Sequence, residues 1–287
     1  MHAMLGLAAS HLDIYGGNFS SQALNHRIKA IQSLNQALST PPKSTAEGDA
    51  RFAAMFALTF QASCMPEGMN EFLAMIRGCH IVYNTSMTEF QDSLFQAFTQ
   101  AGYSDSVRQL IKGPPIILDE DQDILIKGFI KSLRALAPLC KSPLEIKFMA
   151  ATERVVRVAR VSAAEGQLLT LLSLTLQKLT LFLAFAGIVD NYTIINHASH
   201  EEFAPFLDPE AYPAQLLLIH FILIEFAIGH MALGPMGSRF AFRKRSCIAW
   251  MLRLAAGLPE EYQKYAEWPM NFVKQLQALC SYHGVKT

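Results

Sequence analysis

Charge is scarce in this sequence. Only 17% of the 287 residues are Asp, Glu, Lys or Arg, against roughly 25% in an ordinary soluble domain. The 24 basic and 24 acidic side chains cancel to a formal net charge of +0. Neutralising phosphates takes a Lys/Arg excess or a dense basic patch, so this balance argues against a chain that binds nucleic acid directly. The five cysteines, Cys64, Cys79, Cys140, Cys247 and Cys280, are odd in number and scattered, with no Cys-x-x-Cys pair. That pattern spells neither a disulfide framework nor a zinc site, and reduced thiols in a nuclear or cytoplasmic protein are expected. The opening MHAMLGLAASHLDIY has no basic n-region and is interrupted by His2, His11 and Asp13, so secretion is not expected. A Gly-x-Ser-x-Gly elbow, a phosphate-cradling loop and a dinucleotide fingerprint are all missing; the GPMGS stretch lacks the strand context such loops need. No stretch alternates with period two, which removes the signal for strands.

Apolar side chains are abundant instead, at 51% with a mean hydropathy of +0.21. Disorder is excluded, and a chain of this size can bury roughly 75% of its exposable surface. We read residues 1–287 as a single domain, with Gly113 to Leu118 as the one place where a lobe boundary would fit. Two oily segments, Gln167 to Val189 and Ala214 to Gly234, approach the length of a membrane span. Lys178 interrupts the first; His220, Glu225 and His230 interrupt the second. A central charge costs about 2.5–3.5 kcal/mol on insertion scales, so both are expected to be central helices of a bundle, without stable membrane insertion.

Helical periodicity runs from end to end. The first helix stops at Gly16-Gly17, where glycine takes the left-handed conformation that ends helices. The second carries Leu24, Ile28, Ile31, Leu34 and Leu38 on one stripe and stops at Pro41-Pro42. ARFAAMFALTFQASCM and GMNEFLAMIRGCHIVYNT supply two more, and shorter helices are expected over Glu89 to Ala101 and Ser104 to Lys112. Asp119 to Asp123 gives an acidic start to the next helix, as the helix dipole favours. Ser142-Pro143 opens another as N-cap and first-turn proline. The segment from Asp190 to Pro213 reads as irregular, and EEYQKYA and PMNFVKQLQALCSYH read as separate closing helices. The expectation is all-α: an irregular bundle of about a dozen helices, with two long apolar central helices in the C-terminal half.

On a helix His197 and His200 would share a face and could ligate a metal, with Glu201 or Glu202 as third ligand or base, but the spacing departs from zinc-protease signatures; a polar loop with a helix start at Ser199 is the reading. His220, Glu225 and His230 follow at five-residue steps of about 500° each, so they fan around the helix and form no single-helix metal site. Glu225 needs a partner or protonation if buried; a neighbouring cation and the hydroxyl of a buried ligand both meet that need. Arg239, Arg243, Lys244 and Arg245 form the one dense basic run, read as a solvated helix face.

The stretches LGLAASHL, HRIKAIQSLNQAL and DARFAAMFALTFQASCMPEGMNEFLAMIRGCHIV resemble the regulatory domain of fungal zinc-cluster transcription factors, specifically the group similar to sterol uptake control regulators. GLPEEYQKYAEWPMNF resembles that group's C-terminal end. The resemblance implies an all-helical, often dimeric domain whose C-terminal half holds a sterol- or lipid-like molecule and controls nuclear entry or activation. In this chain the matching region places Phe182, Phe185, Phe226, Met231 and Phe240 as apolar walls, with His220, Glu225 and His230 as polar contacts. Neither a cofactor nor a metal is implied, and a second copy or other protein chains are the implied macromolecular partners. The family's six-cysteine DNA-binding module has no counterpart in the sequence, which fits an excised domain, a shortened gene or a stand-alone descendant. The last history leaves a second reading open, an enzyme of secondary metabolism that folds a reactive chain by cavity shape.

Overall fold

The computed structural model describes residues 1–87, 92–95, 120–165, 171–233 and 241–282. Among these residues there are eleven α-helices and no strand, so the fold is all-α. The chain divides into two compact units, Met1–Ser106 and Val107–Thr287. The break foreseen at Gly113 to Leu118 and the short helices expected between Glu89 and Lys112 lie outside the described residues.

The first unit contains α1 (His2–Ile14), α2 (Ser20–Leu38), α3 (Thr45–Ser63) and α4 (Met69–Val82), continued by one π-helical turn, Tyr83–Met87. Gly16 ends α1 at φ +90, and its neighbour Gly17 donates back to the Leu12 carbonyl at 3.1 Å. Asp13 fastens the turn by accepting from the Phe19 amide at 2.9 Å and the Ser20 hydroxyl at 2.6 Å. The core gathers Ala3, Ala30, Leu34, Phe52, Met55 and Leu58 around Val82.

The stripe read along α2 faces inward only in part. Leu34 is buried and Ile31 and Leu38 pack against the core, while Leu24 and Ile28 are exposed and Ala23, Arg27 and Ala30 face inward in their place. The reason is polar. Arg27, only 4% exposed, donates to Leu58 O at 3.3 Å and Gln61 Oε1 at 3.1 Å and pairs with Glu71. Gln61 in turn donates to Ser10 Oγ at 3.1 Å and Ala23 O at 3.2 Å. Four helices meet at this one guanidinium and one amide, and small alanines beside them allow the close approach. Gly6 belongs to the same contact, since a Cβ there would come within 3.0 Å of Gln61 Oε1.

Asp49 ties a short downstream segment to α3. Its carboxylate accepts from Ser93 Oγ at 2.6 Å and from the Leu94 amide at 3.0 Å, and the Phe95 ring packs 4.9 Å from Phe52. Asp49→Ala leaves a buried hydroxyl and an amide unpaired, which costs about 1–3 kcal/mol. Hydrogen exchange is expected to show faster exchange at Leu94 in this variant than in the parent chain.

The second unit contains α5 (Glu120–Arg134), α6 (Pro143–Glu165), α7 (Leu171–His197), α8 (His200–Phe206), α9 (Tyr212–Leu233), α10 (Ala241–Ala256) and α11 (Glu260–Tyr282). Glu145 and Ser142 cap α6 reciprocally: Glu145 N donates to Ser142 Oγ at 3.2 Å and Glu145 Oε2 accepts from Ser142 N at 2.9 Å. The same capping box, Ser199 with Glu202, starts α8. The core centres on α9, where Ala214 and the run Leu216 to Ile224 are all buried, with Phe148, Leu133 and Trp250 packed in the same interior.

Three expectations for this half are corrected. The pair of long apolar central helices is not present as foreseen, and no helix among the described residues is long and apolar enough to cross a membrane. The first oily segment is one part of α7, which runs on through Asp190 and Asn191 to His197. It continues there because Ile188, Asn191 and Ile195 share a face and are all buried. The two closing helices are one, α11, running through Pro269. Proline removes one intrahelical hydrogen bond, and here the flanking Ala266, Pro269 and Val273 are buried on one stripe, which holds the helix together across the gap.

Candidate functional site

The polar residues inside the second unit form two separate clusters around α9. In the first, His220 is fully buried. Its Nδ1 lies 2.7 Å from the Leu216 carbonyl, one turn earlier on α9. A carbonyl only accepts, so Nδ1 carries the proton and Nε2 is left as acceptor for the Ser132 hydroxyl of α5, at 2.9 Å. The Phe129 ring stands edge-on to the imidazole with centroids 5.5 Å apart, and Trp268 of α11 stands edge-on to Phe129 at 5.9 Å. Trp268 reaches α5 because residue 128 is glycine: a Cβ there would meet the indole Nε1 at 2.5 Å. Burial pulls the His220 pKa down to about 4, with the Leu216 hydrogen bond opposing only part of that shift. The ring is therefore neutral at physiological pH and acts as a connector between α5 and α9.

Across α9, the second cluster joins α6 and α7. Asn191 Nδ2 donates to Phe148 O at 3.1 Å and to Thr152 Oγ1 at 2.7 Å, and Thr152 Oγ1 donates to Phe148 O at 2.9 Å. The Phe148 ring packs on Phe206 at 5.4 Å and on Phe221 at 5.1 Å, and Tyr192 closes on Phe221 at 5.2 Å. Asn191 Oδ1 is buried without a partner among the described residues.

Of the wall and contact residues inferred from the resemblance, His220, Glu225 and Phe226 lie on α9, with His220 buried and the other two half-buried. His230 and Met231 are also on α9, and Phe182 and Phe185 are on α7, but their side chains lie outside the described residues; Phe240 lies outside them altogether. Two shallow hollows open on this unit. One, of about 300 Å³, is lined by Lys127, Ile130, Lys131 and Arg134. The other, of about 290 Å³, is lined by Leu144, Lys147, Thr193, Ile194, His197, Ala198 and Glu202.

His197 sits at the end of α7 with its Nδ1 on the Thr193 carbonyl at 2.8 Å, and both His197 and His200 are exposed. No group of three or more His, Cys, Asp or Glu side chains placed to hold a metal occurs among the described residues. Cys140 and Cys247 are buried and Cys64 and Cys79 half-buried, all as free thiols. Burial, with help from Glu145, pushes the Cys140 thiol up to about 11. Arg245, the last residue of the basic run, is exposed. Ser132, Thr152 and Asn191 were not singled out from the sequence. Asn191 alone left a trace there, as a polar residue three positions after Ile188 and four before Ile195, on a face that is otherwise apolar.

Comparison of the chain with protein-family models, with curated proteins and with solved structures finds no match in any of the three.

Proposed function

We propose that this chain is a ligand-responsive regulatory domain of a fungal transcription regulator, non-enzymatic, that binds an apolar sterol- or lipid-like molecule and contacts other protein chains, in the nucleus or cytoplasm. The observation that carries the reading is where the buried polar residues of the first unit fall. Arg27 lies in HRIKAIQSLNQAL, and Asp49, Arg51 and Gln61 lie in DARFAAMFALTFQASCM, the stretches on which the resemblance to zinc-cluster regulators rests. Each of them joins separate segments: Arg27 and Gln61 link the helices, Asp49 holds Ser93, and Arg51 donates to the Thr40 carbonyl and pairs with Glu47. The resemblance itself rests mainly on core-packing patterns, and these buried connectors lie within the same stretches and cost stability when lost.

In this reading the ligand lies against α7 and α9, with Phe182, Phe185, Phe226, Met231 and Phe240 as walls. Both ring nitrogens of His220 are engaged within the protein, so His220 is not among the groups that orient a ligand hydroxyl in this reading. Native mass spectrometry of the purified chain, before and after incubation with ergosterol and with a fatty acid, tests the reading. A retained or acquired apolar ligand at one per chain, weakened at least tenfold by Phe226→Asp, is expected; a chain that holds neither sterol nor fatty acid overturns it.

Apart from the cyclase- or isomerase-type reading, the Ser132–His220 pair, with its ring oriented by Leu216, has the outline of a nucleophile and its base. A base held at about 4 is poorly matched to neutral pH, so we read the pair as structural.

A further inference from the structure

The outward face of α1 is as apolar as the inward one. Small residues, Ala3, Gly6 and Ala9, turn inward, whereas Met4, Leu5, Leu12 and the Tyr15 that follows the helix are between 43% and 69% exposed. Ala8 and His11, also exposed, complete the face, and the His11 ring stands edge-on to Tyr15 at 5.0 Å. An ordinary surface helix sets its charges on such a face. This one contains no Lys, Arg or Glu, and its one acid, Asp13, is held by the Phe19 amide and the Ser20 hydroxyl. The face exposes about 500 Å², the size of the largest apolar patch on a typical monomer, which is often functional. Two such faces laid together bury about 1,000 Å², the area from which a specific interface is stable.

The order of residues along the face is nearly symmetric. Ala8 lies at its centre, with Met4 and Leu12 four positions to either side and Leu5 and His11 three positions to either side. Met4, Ala8 and Leu12 form one ridge of the kind that interdigitates when two helices pack, and the alanine at its middle lets the axes close. A helix with this pattern complements itself turned end for end: Met4 of one copy lies beside Leu12 of the other, and Leu12 beside Met4, as a twofold axis requires. A face without formal charge meets no like charge in its own copy. A bilayer is a poorer occupant, because helices that lie on lipid set Lys and Arg beside their apolar side. We propose that the exposed face of α1 is a twofold interface on which a second copy of this chain docks, the two α1 helices antiparallel and crossing at Ala8. The face belongs to the first unit, so the pairing is independent of whether the second unit holds a ligand.

Sedimentation equilibrium of the full chain tests the pairing. A particle of twice the 31.9 kDa chain mass is expected in the micromolar range. Leu12→Glu and, separately, Ala8→Arg, both at exposed positions, are expected to raise the dimer dissociation constant at least tenfold, with circular dichroism checking that each keeps the parent helicity. Leu24→Glu, at an equally exposed leucine of α2, is expected to leave it within twofold. Exchanging charges reads the register. Met4→Lys with Leu12→Lys is expected to abolish the dimer, whereas Met4→Lys with Leu12→Glu sets opposite charges across the antiparallel pair and is expected to bind at least tenfold tighter than the all-lysine variant. A chain that stays monomeric throughout the micromolar range overturns the proposal, as do a dimer that Leu12→Glu and Ala8→Arg leave intact, an equal loss from Leu24→Glu, and equal dissociation of the two double variants. A monomer that cosediments with phosphatidylcholine vesicles and loses them on Leu12→Glu also overturns it, and marks the face as a lipid contact.

Discussion

Arg27→Ala is expected to destabilise the first unit by about 2–4 kcal/mol, the largest effect of any single polar substitution there. The guanidinium is almost completely buried and serves Leu58 O, Gln61 and Glu71 together. Removing it strands the Gln61 carbonyl oxygen inside the protein and leaves Glu71 without its cation. Glu71 is 37% exposed at its side chain, so water recovers part of that loss, and the expected figure lies below the range for a fully buried pair. Arg27→Lys keeps the charge but lacks the planar fork that reaches two helices at once, so an intermediate loss is expected. Both tryptophans, Trp250 and Trp268, belong to the second unit, so their fluorescence does not report on the first unit directly. Hydrogen exchange at the amides of α2 and α3 is the appropriate measurement. Protection unchanged between Arg27→Ala and the parent would show that the polar cluster contributes nothing.

The second large effect is on pH. A histidine in an unfolded chain titrates near 6.5, whereas His220 in the folded chain titrates at about 4. Between those values the unfolded state binds the proton and the folded state does not, so stability falls as pH falls. The contribution is fully present above pH 6.5, is lost progressively below it, and levels off once the folded pKa is passed at about 4. One pKa unit corresponds to about 1.4 kcal/mol, so the fall amounts to about 3 kcal/mol. Other groups titrate over the same range, and the informative quantity is the difference from His220→Gln, which has no proton to gain. Urea unfolding followed by tryptophan fluorescence suits the purpose, because Trp268 packs on Phe129, the ring that faces His220. The stability of the parent chain is expected to fall more steeply from pH 6.5 to pH 4 than that of the variant. Parallel pH profiles would mean that His220 takes up its proton in the folded chain at the same pH as in the unfolded one.

His220 also shows where sequence reasoning stops. That α9 is helical, and that His220 and Glu225 point to different sides of it, follows from a period of 3.6 and is legible in one segment. That His220 meets Ser132, 88 positions away, is not, because an isolated serine in a helix carries no mark of what faces it. The same limit applies to α2. Its periodicity offers a stripe through Leu24, Ile28, Ile31, Leu34 and Leu38, of which the last three face the core while the first two are exposed and Arg27 points inward, since only tertiary structure brings Gln61, Leu58 and Glu71 to meet it. Of the residues inferred to touch a ligand, His220 is committed to structure through Leu216 and Ser132.

What the sequence determined by itself was local: the all-α class, the stop of α1 at Gly16, the starts of α6 at Ser142 and α8 at Ser199. Each depends on a few neighbouring residues, through periodicity, a left-handed glycine or a capping side chain. Tertiary structure decided which face of α2 is buried, that α7 continues to His197, that α11 passes through Pro269, and that Asp49 holds Ser93 while Ser132 holds His220. Those outcomes depend on groups brought together from distant positions, where burial decides whether a polar atom is paired and whether a weak helix position is held in place.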